Sequence, residues 1–171
     1  MRKYILIFCL LIYLTGWIFG FLYHYQEEHD YTAIPKTMEE SLGTERKEIF
    51  QNIFINNAGV VLINFAGLFS FGLISCVNVC YNGFVVGDVI KNGLRVLSSD
   101  TILRGILPHS FELVGYFWSA LLGIETGLKL FLYVFFQKPF TCSYKKLMFE
   151  LVLCILIMLT AAFVEAYVSI Y

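Results

Sequence analysis

Charge is what this chain has least of. Only 15% of its 171 residues are Asp, Glu, Lys or Arg, against roughly 25% in an ordinary soluble domain. A water-soluble fold of that length could not coat its exterior with so few polar groups. Histidine occurs three times and proline three times. The histidines (His24, His29, His109) and the cysteines (Cys9, Cys76, Cys80, Cys142, Cys154) show no zinc-ligand spacing. We therefore expect no metal and no cofactor. Cys76 and Cys80 stand four residues apart and share a helix face, which reads as small apolar packing rather than redox chemistry. No basic block is present, so no nucleic-acid partner is expected. The signatures G-x-S-x-G, G-x-G-x-x-G and G-K-[ST] are all missing, which removes the usual carriers of serine-hydrolase, dinucleotide and P-loop chemistry.

What is abundant is apolar. Hydrophobic residues make up 58% and aromatic residues 18% of the chain. That composition belongs to an integral membrane protein, whose first partner is the lipid bilayer. The fold class expected is all-α: a polytopic transmembrane bundle of about four main spans, built from residues 1–171 as one membrane domain. Residues 4–23 approach the roughly 20 that cross a bilayer core. Arg2 and Lys3 precede them and no small-residue cleavage site follows. This predicts an uncleaved anchor in the cell membrane with a cytoplasmic N-terminus.

Residues 24–52 then form an acidic extracytoplasmic loop, carrying Glu27, Glu28, Asp30, Glu39, Glu40, Glu45 and Glu48 against Lys36, Arg46 and Lys47. Its end, with Ile49, Phe50, Ile53 and Phe54 at helical spacing, reads as a short amphipathic helix. Residues 53–136 form the core. Within it we expect a span from Asn57 to Tyr81 and a break at Asn82-Gly83, because Asn-Gly is a turn signal. Lys91, Arg95 and Arg104 suit the cytoplasmic side. Pro108 suits a first helical turn. The stretch after it is either one tilted helix or two pieces broken near Gly123–Gly127. Residues 147–167 form the last span.

The candidate chemistry is sparse. His109 and Glu112 stand at i, i+3 near a helix start, and ionisable groups at membrane depth usually face an interior and pair. They are the candidate catalytic residues; the competing reading has Glu112 bonded to a neighbouring Asn. Glu125 and Lys129 at i, i+4 neutralise each other. Asn57, Asn82, His109, Glu112 and Glu165 are expected to form an intramembrane polar cluster. Gly83, Gly87, Pro108, Gly123 and Gly127 are the expected sites of helix breaks or close packing.

Several of these pieces together resemble the stage II sporulation protein M family of polytopic membrane proteins. The resemblance runs from about Phe54 to Leu130. It rests on Asn56-Asn57 opening a Gly-rich span, on Tyr81-Asn82-Gly83-x-x-x-Gly87, on Leu107-Pro108-His109 with Phe111-Glu112-Leu113, and on Gly123. The resemblance implies a non-enzymatic subunit of a partner-dependent membrane complex. Such a complex serves peptide or bacteriocin maturation, export or immunity, or sporulation-type envelope remodelling. The implied partners are other membrane proteins, such as an ABC transporter or a peptide-processing protein, with a peptide cargo or a further copy of the chain. The rival readings are a membrane-embedded hydrolase or peptide-processing enzyme using His109 and Glu112, and a permease subunit of a transporter.

Overall fold

A computed structural model describes residues 1–23, 42–96 and 99–169, with side chains described for 1–23, 46–95 and 111–167. All regular structure among the described residues is helical: α1 (Arg2–Leu22), α2 (Leu42–Ala66), α3 (Leu73–Val96), α4 (Ser99–Phe136) and α5 (Tyr144–Val164). A 3₁₀ turn (Gly67–Ser70) joins α2 to α3, and a π-turn (Glu165–Ser169) ends α5. Among the described residues, five helices are long and apolar enough to cross a membrane. Helices are the solution lipid favours, because each satisfies its own backbone N–H and C=O groups.

The expectation of about four spans holds approximately; the stretch from 53 to 90 supplies two crossings because the chain turns earlier than the Asn-Gly pair suggested. Phe71 adopts a left-handed conformation (φ 56°) and Gly72 follows at φ 95°. The Gly72 N–H donates back to the Gly67 carbonyl at 2.7 Å, a Schellman-type closure. Ser70 completes the turn: its Oγ accepts from the Ile74 N–H at 2.9 Å and donates to the Gly67 carbonyl at 3.3 Å. Turning an apolar chain without water requires such internal partners. The Phe71 ring packs edge-on against Phe131 and Phe135 of α4.

The break expected at Asn82-Gly83 is therefore corrected, since α3 runs unbroken through it. Gly83 and Gly87 are packing surfaces. A Cβ on Gly83 would lie 2.2 Å from the Tyr13 carbonyl oxygen of α1, and one on Gly87 would lie 2.1 Å from that of Trp17. The relation is reciprocal. A Cβ on Gly16 would meet the Cys80 carbonyl oxygen at 2.0 Å and one on Gly20 that of Phe84 at 1.9 Å. Two G-x-x-x-G stripes thus let the backbones of α1 and α3 touch. The alternative break at Gly123–Gly127 is also set aside, because α4 is continuous there. Those glycines seat the α2–α3 turn: Gly123 lies against the Asn64 carbonyl and Gly127 against Gly67 and Gly72.

Contacts between residues of known order fix the helix directions. Tyr13 packs on Tyr116 and Phe117, while Arg2 reaches Glu125, so α1 and α4 are antiparallel. Asn57 meets Glu112 and Asn64 meets Ser119, so α2 runs with α4. Asn78 reaches Val60 and Ser75 reaches Asn64, so α3 opposes α2. Helices α1, α3 and α5 point one way and α2 and α4 the other. The ends of α1 and α3 therefore share one end of the bundle, where the Lys91 ammonium donates to the Tyr23 carbonyl. That arrangement separates Arg95 from the N-terminal end, where it had been expected. The acidic residues 27–40, with His24 and His29, lie outside the described residues. The amphipathic segment around Ile49 and Phe50 is the opening of α2 itself rather than a separate helix.

Candidate functional site

Polar side chains inside this bundle are few, and most of those described bond to one another. Asn64 is fully buried. Its Nδ2 donates to Ser119 Oγ at 3.0 Å and to the Tyr116 carbonyl at 3.3 Å. Its Oδ1 accepts from Asn78 Nδ2 at 2.8 Å, and its backbone carbonyl accepts from Ser75 Oγ at 2.6 Å. One residue of α2 thereby ties α3 and α4 together. One turn further along α3, Asn82 Nδ2 donates to the Asn78 carbonyl at 2.9 Å and to Asn78 Oδ1 at 3.1 Å. The Tyr116 hydroxyl donates to the same carbonyl at 3.1 Å. Amides suit this ladder because each offers both donors and acceptors, so neighbours can satisfy one another without water.

The ladder ends at a cavity of about 320 Å³ between α2, α3 and α4, with Tyr13 of α1 and Met158 of α5 contributing to its wall. Its polar residues are Asn57, Asn82, Glu112, Tyr13 and Tyr116; the remainder are Val60, Val85, Val86, Val89, Ile90, Leu113 and Met158. Asn57 Nδ2 donates to Glu112 Oε1 at 2.5 Å. The structure thus brings Asn57, Asn82 and Glu112 to one cavity. His109 lies in α4 one turn before Glu112, as does Pro108, but their side chains are outside the described residues. Glu165 opens the π-turn at the end of α5 and is not part of the cavity wall. Among the described residues, no three His, Cys, Asp or Glu side chains come together in a way that would hold a metal ion.

A second polar cluster lies at the opposite end. Arg2 Nε donates to Glu125 Oε2 at 2.7 Å, and its two terminal nitrogens donate to Glu150 at 3.0 Å each. Lys129 Nζ donates to Glu125 Oε1 at 2.9 Å, the i, i+4 pair expected from sequence. Both carboxylates are buried, and the forked guanidinium can hold the two at once. This cluster pins the start of α1 to α4 and α5. Nothing in the sequence pairs Arg2 with Glu150, since they lie 148 residues apart. Asn64 and Asn78 carried a readable signal: Asn57 and Asn64 are seven residues apart, Asn78 and Asn82 four, so each pair shares one helix face.

The pattern of the family described as "Stage II sporulation protein M" matches residues 5–170. The chain belongs to the stage II sporulation protein M family. An uncharacterized protein of Methanocaldococcus jannaschii is 30% identical over 172 residues, covering 96% of this chain and 93% of that one. No solved structure matches. The match extends the resemblance from 54–130 to nearly the whole chain. In this stage II sporulation protein M family member, Gly83 and Gly87 form the α1–α3 contact, while Asn57, Asn82 and Glu112 border the cavity. It is a multi-pass membrane protein.

Proposed function

We propose that this family member is a non-enzymatic subunit of a membrane complex in the cell membrane, with its N-terminus cytoplasmic. The observation that carries the reading is the use made of the bundle's polar groups. Glu112, the leading candidate for chemistry, accepts a hydrogen bond from Asn57, and Asn64, Asn78 and Asn82 bond along a ladder between helices. Side chains used in this way hold helices in register. The work of such a subunit is peptide or bacteriocin maturation, export or immunity, or envelope remodelling, done through a membrane partner such as an ABC transporter or a peptide-processing protein. The orientation follows from Arg2 and Lys3, because basic residues flanking the first span usually set the topology.

Co-expression with the products of neighbouring genes, followed by purification in mild detergent, tests this reading. A stoichiometric membrane partner whose activity depends on this chain is the expected result. Peptide hydrolysis by the isolated chain, lost in Glu112→Gln with the fold intact, would establish the hydrolase instead. Transport by the chain alone in vesicles would establish the permease.

A further inference from the structure

The helices do not all end at one level. α1 carries no charged residue after Lys3, and its 21 residues rise about 31 Å, the thickness of a bilayer core. Its charged start, Arg2, bonds to Glu125 and Glu150, so that level marks one membrane surface on α4 and α5 as well. The turn between α2 and α3 stops close by, with Gly72 against Ile124 and Gly127, and the Phe71 ring reaching on to Phe131 and Phe135. α4 continues past Glu125 to Phe136, a further rise of about 16 Å, and α5 starts its return at Tyr144. The headgroup layer is only about 5–8 Å deep on each side. The tip of the α4–α5 hairpin therefore stands in water. It is a closed unit: Gln137 is left-handed (φ 53°), the Lys138 N–H donates to the Leu132 carbonyl at 3.2 Å, and Ser143 Oγ accepts from the Lys146 N–H at 3.5 Å. Phe140 in the loop packs edge-on against Tyr133.

This arm is apolar and basic. Phe135 is 60% exposed, Phe136 61% and Tyr144 73%, with Phe140 exposed beside them. Between Glu125 and Glu150 the charged residues are Lys129, Lys138, Lys145 and Lys146, with no acid among them. Lys129 pairs with Glu125, and Lys146 lies 3.9 Å from Glu150. Lys138 and Lys145 are exposed and have no ion pair among the described residues. A contiguous aromatic patch in water marks an interaction surface.

We propose that the hairpin tip seats a partner protein, which lays an acidic amphipathic helix across Phe136, Phe140 and Tyr144 with its carboxylates toward Lys138 and Lys145. The proposal rests on the subunit reading above, since it names where the partner sits. Charge selects the occupant, because a patch of one sign favours the opposite sign and rejects its own. A second copy of the hairpin would bring lysines against lysines. The acidic stretch of this chain leads into the start of α2, at the opposite end of the bundle. Lipid headgroups lie below the tip.

The test uses the full chain in nanodiscs, labelled at Cys142 with a water-soluble, environment-sensitive maleimide dye. Cys142 lies in the hairpin loop, whereas Cys9 and Cys154 are buried and Cys76 and Cys80 belong to the α3 span. The probe is a synthetic helical peptide of about five turns, with leucine on one face and glutamate on the other; its counterpart carries lysine in place of glutamate. The dye should report water before peptide is added and an apolar surrounding as the glutamate peptide saturates it. The lysine peptide should bind about tenfold more weakly or worse, the sum of several small exposed attractions turned to repulsions. Lys138→Glu combined with Lys145→Glu should reverse that preference. Phe136→Ser leaves the charges in place and should weaken the glutamate peptide. The doubly charge-reversed chain then enters the co-expression experiment, where loss of the co-purified partner is expected. A partner retained at full stoichiometry would overturn the proposal and leave the subunit reading standing. No partner at all, with the peptide preference intact, would count against the subunit reading alone. Equal binding of the two peptides would overturn the proposal. So would a dye already in apolar surroundings in phosphatidylglycerol nanodiscs before peptide is added, since the arm would then lie on lipid.

Discussion

The α1–α3 contact makes a signed prediction, because this chain has a control glycine. In Gly83→Ala, the new Cβ would lie 2.2 Å from the Tyr13 carbonyl oxygen and 3.1 Å from the Trp17 nitrogen. Carbon–oxygen contacts between close helices settle near 3.3–3.6 Å, so the two backbones must part by about 1 Å. The obstacle is backbone and cannot swing aside. Overpacking costs about 1–3 kcal/mol, and a rigid obstacle belongs at the upper end. Alanine returns about 0.8–1 kcal/mol in helix propensity. The net loss is about 2 kcal/mol, a fall of about 4–8 °C in melting temperature for a chain of this size. Gly59 is also helical, but a Cβ there would meet nothing within 4 Å. Gly59→Ala should therefore keep the propensity gain and raise the melting temperature by a few degrees. Thermal unfolding in one detergent, followed by size-exclusion chromatography, reads both. Gly83→Ala as stable as the parent, or the two variants moving together, would refute the close contact.

Three further expectations follow from the same geometry. Gly16→Ala and Gly83→Ala act on one crossing, so the double variant should lose clearly less than the sum of the singles in the same melting assay. Asn64→Leu removes hydrogen bonds to α3 and α4, each worth about 0.6 kcal/mol on average and at most about 1.7 in a membrane; a total loss of about 1–3 kcal/mol is expected by thermal unfolding. Arg2→Gln leaves the buried Glu125 and Glu150 without their shared fork; Arg2 itself is 37% exposed, which holds the expected loss to about 1–2 kcal/mol.

Composition revealed the class and most of the span positions, because lipid demands long apolar helices and little else looks like them. The turn was misplaced for a physical reason. Asn-Gly is a turn signal in water, where the amide and the free φ are both useful, yet at Asn82-Gly83 the amide bonds to Asn78 and the glycine admits a carbonyl of α1. The actual turn, Ser70-Phe71-Gly72, contains a bulky aromatic at positive φ. Its packing against Phe131 and Phe135 helps hold that position, and sequence order does not show it. Glu112 beside an Asn was readable, because a carboxylate in lipid must find a donor. Arg2 was read only for topology, since its partners in α4 and α5 are remote in sequence.

The central claim is that α2 turns back at Gly67–Gly72 and brings Asn57 beside Glu112 within the bundle. The most direct measurement is thiol cross-linking in native membranes. Asn57→Cys and Glu112→Cys, placed together in a cysteine-free background, would be treated with a short bifunctional thiol reagent. The two side chains are in hydrogen-bond contact, so rapid intramolecular linkage is predicted, with no linkage when the first cysteine is moved to the exposed Ile55. Linkage from position 55 but not from position 57 would contradict the account.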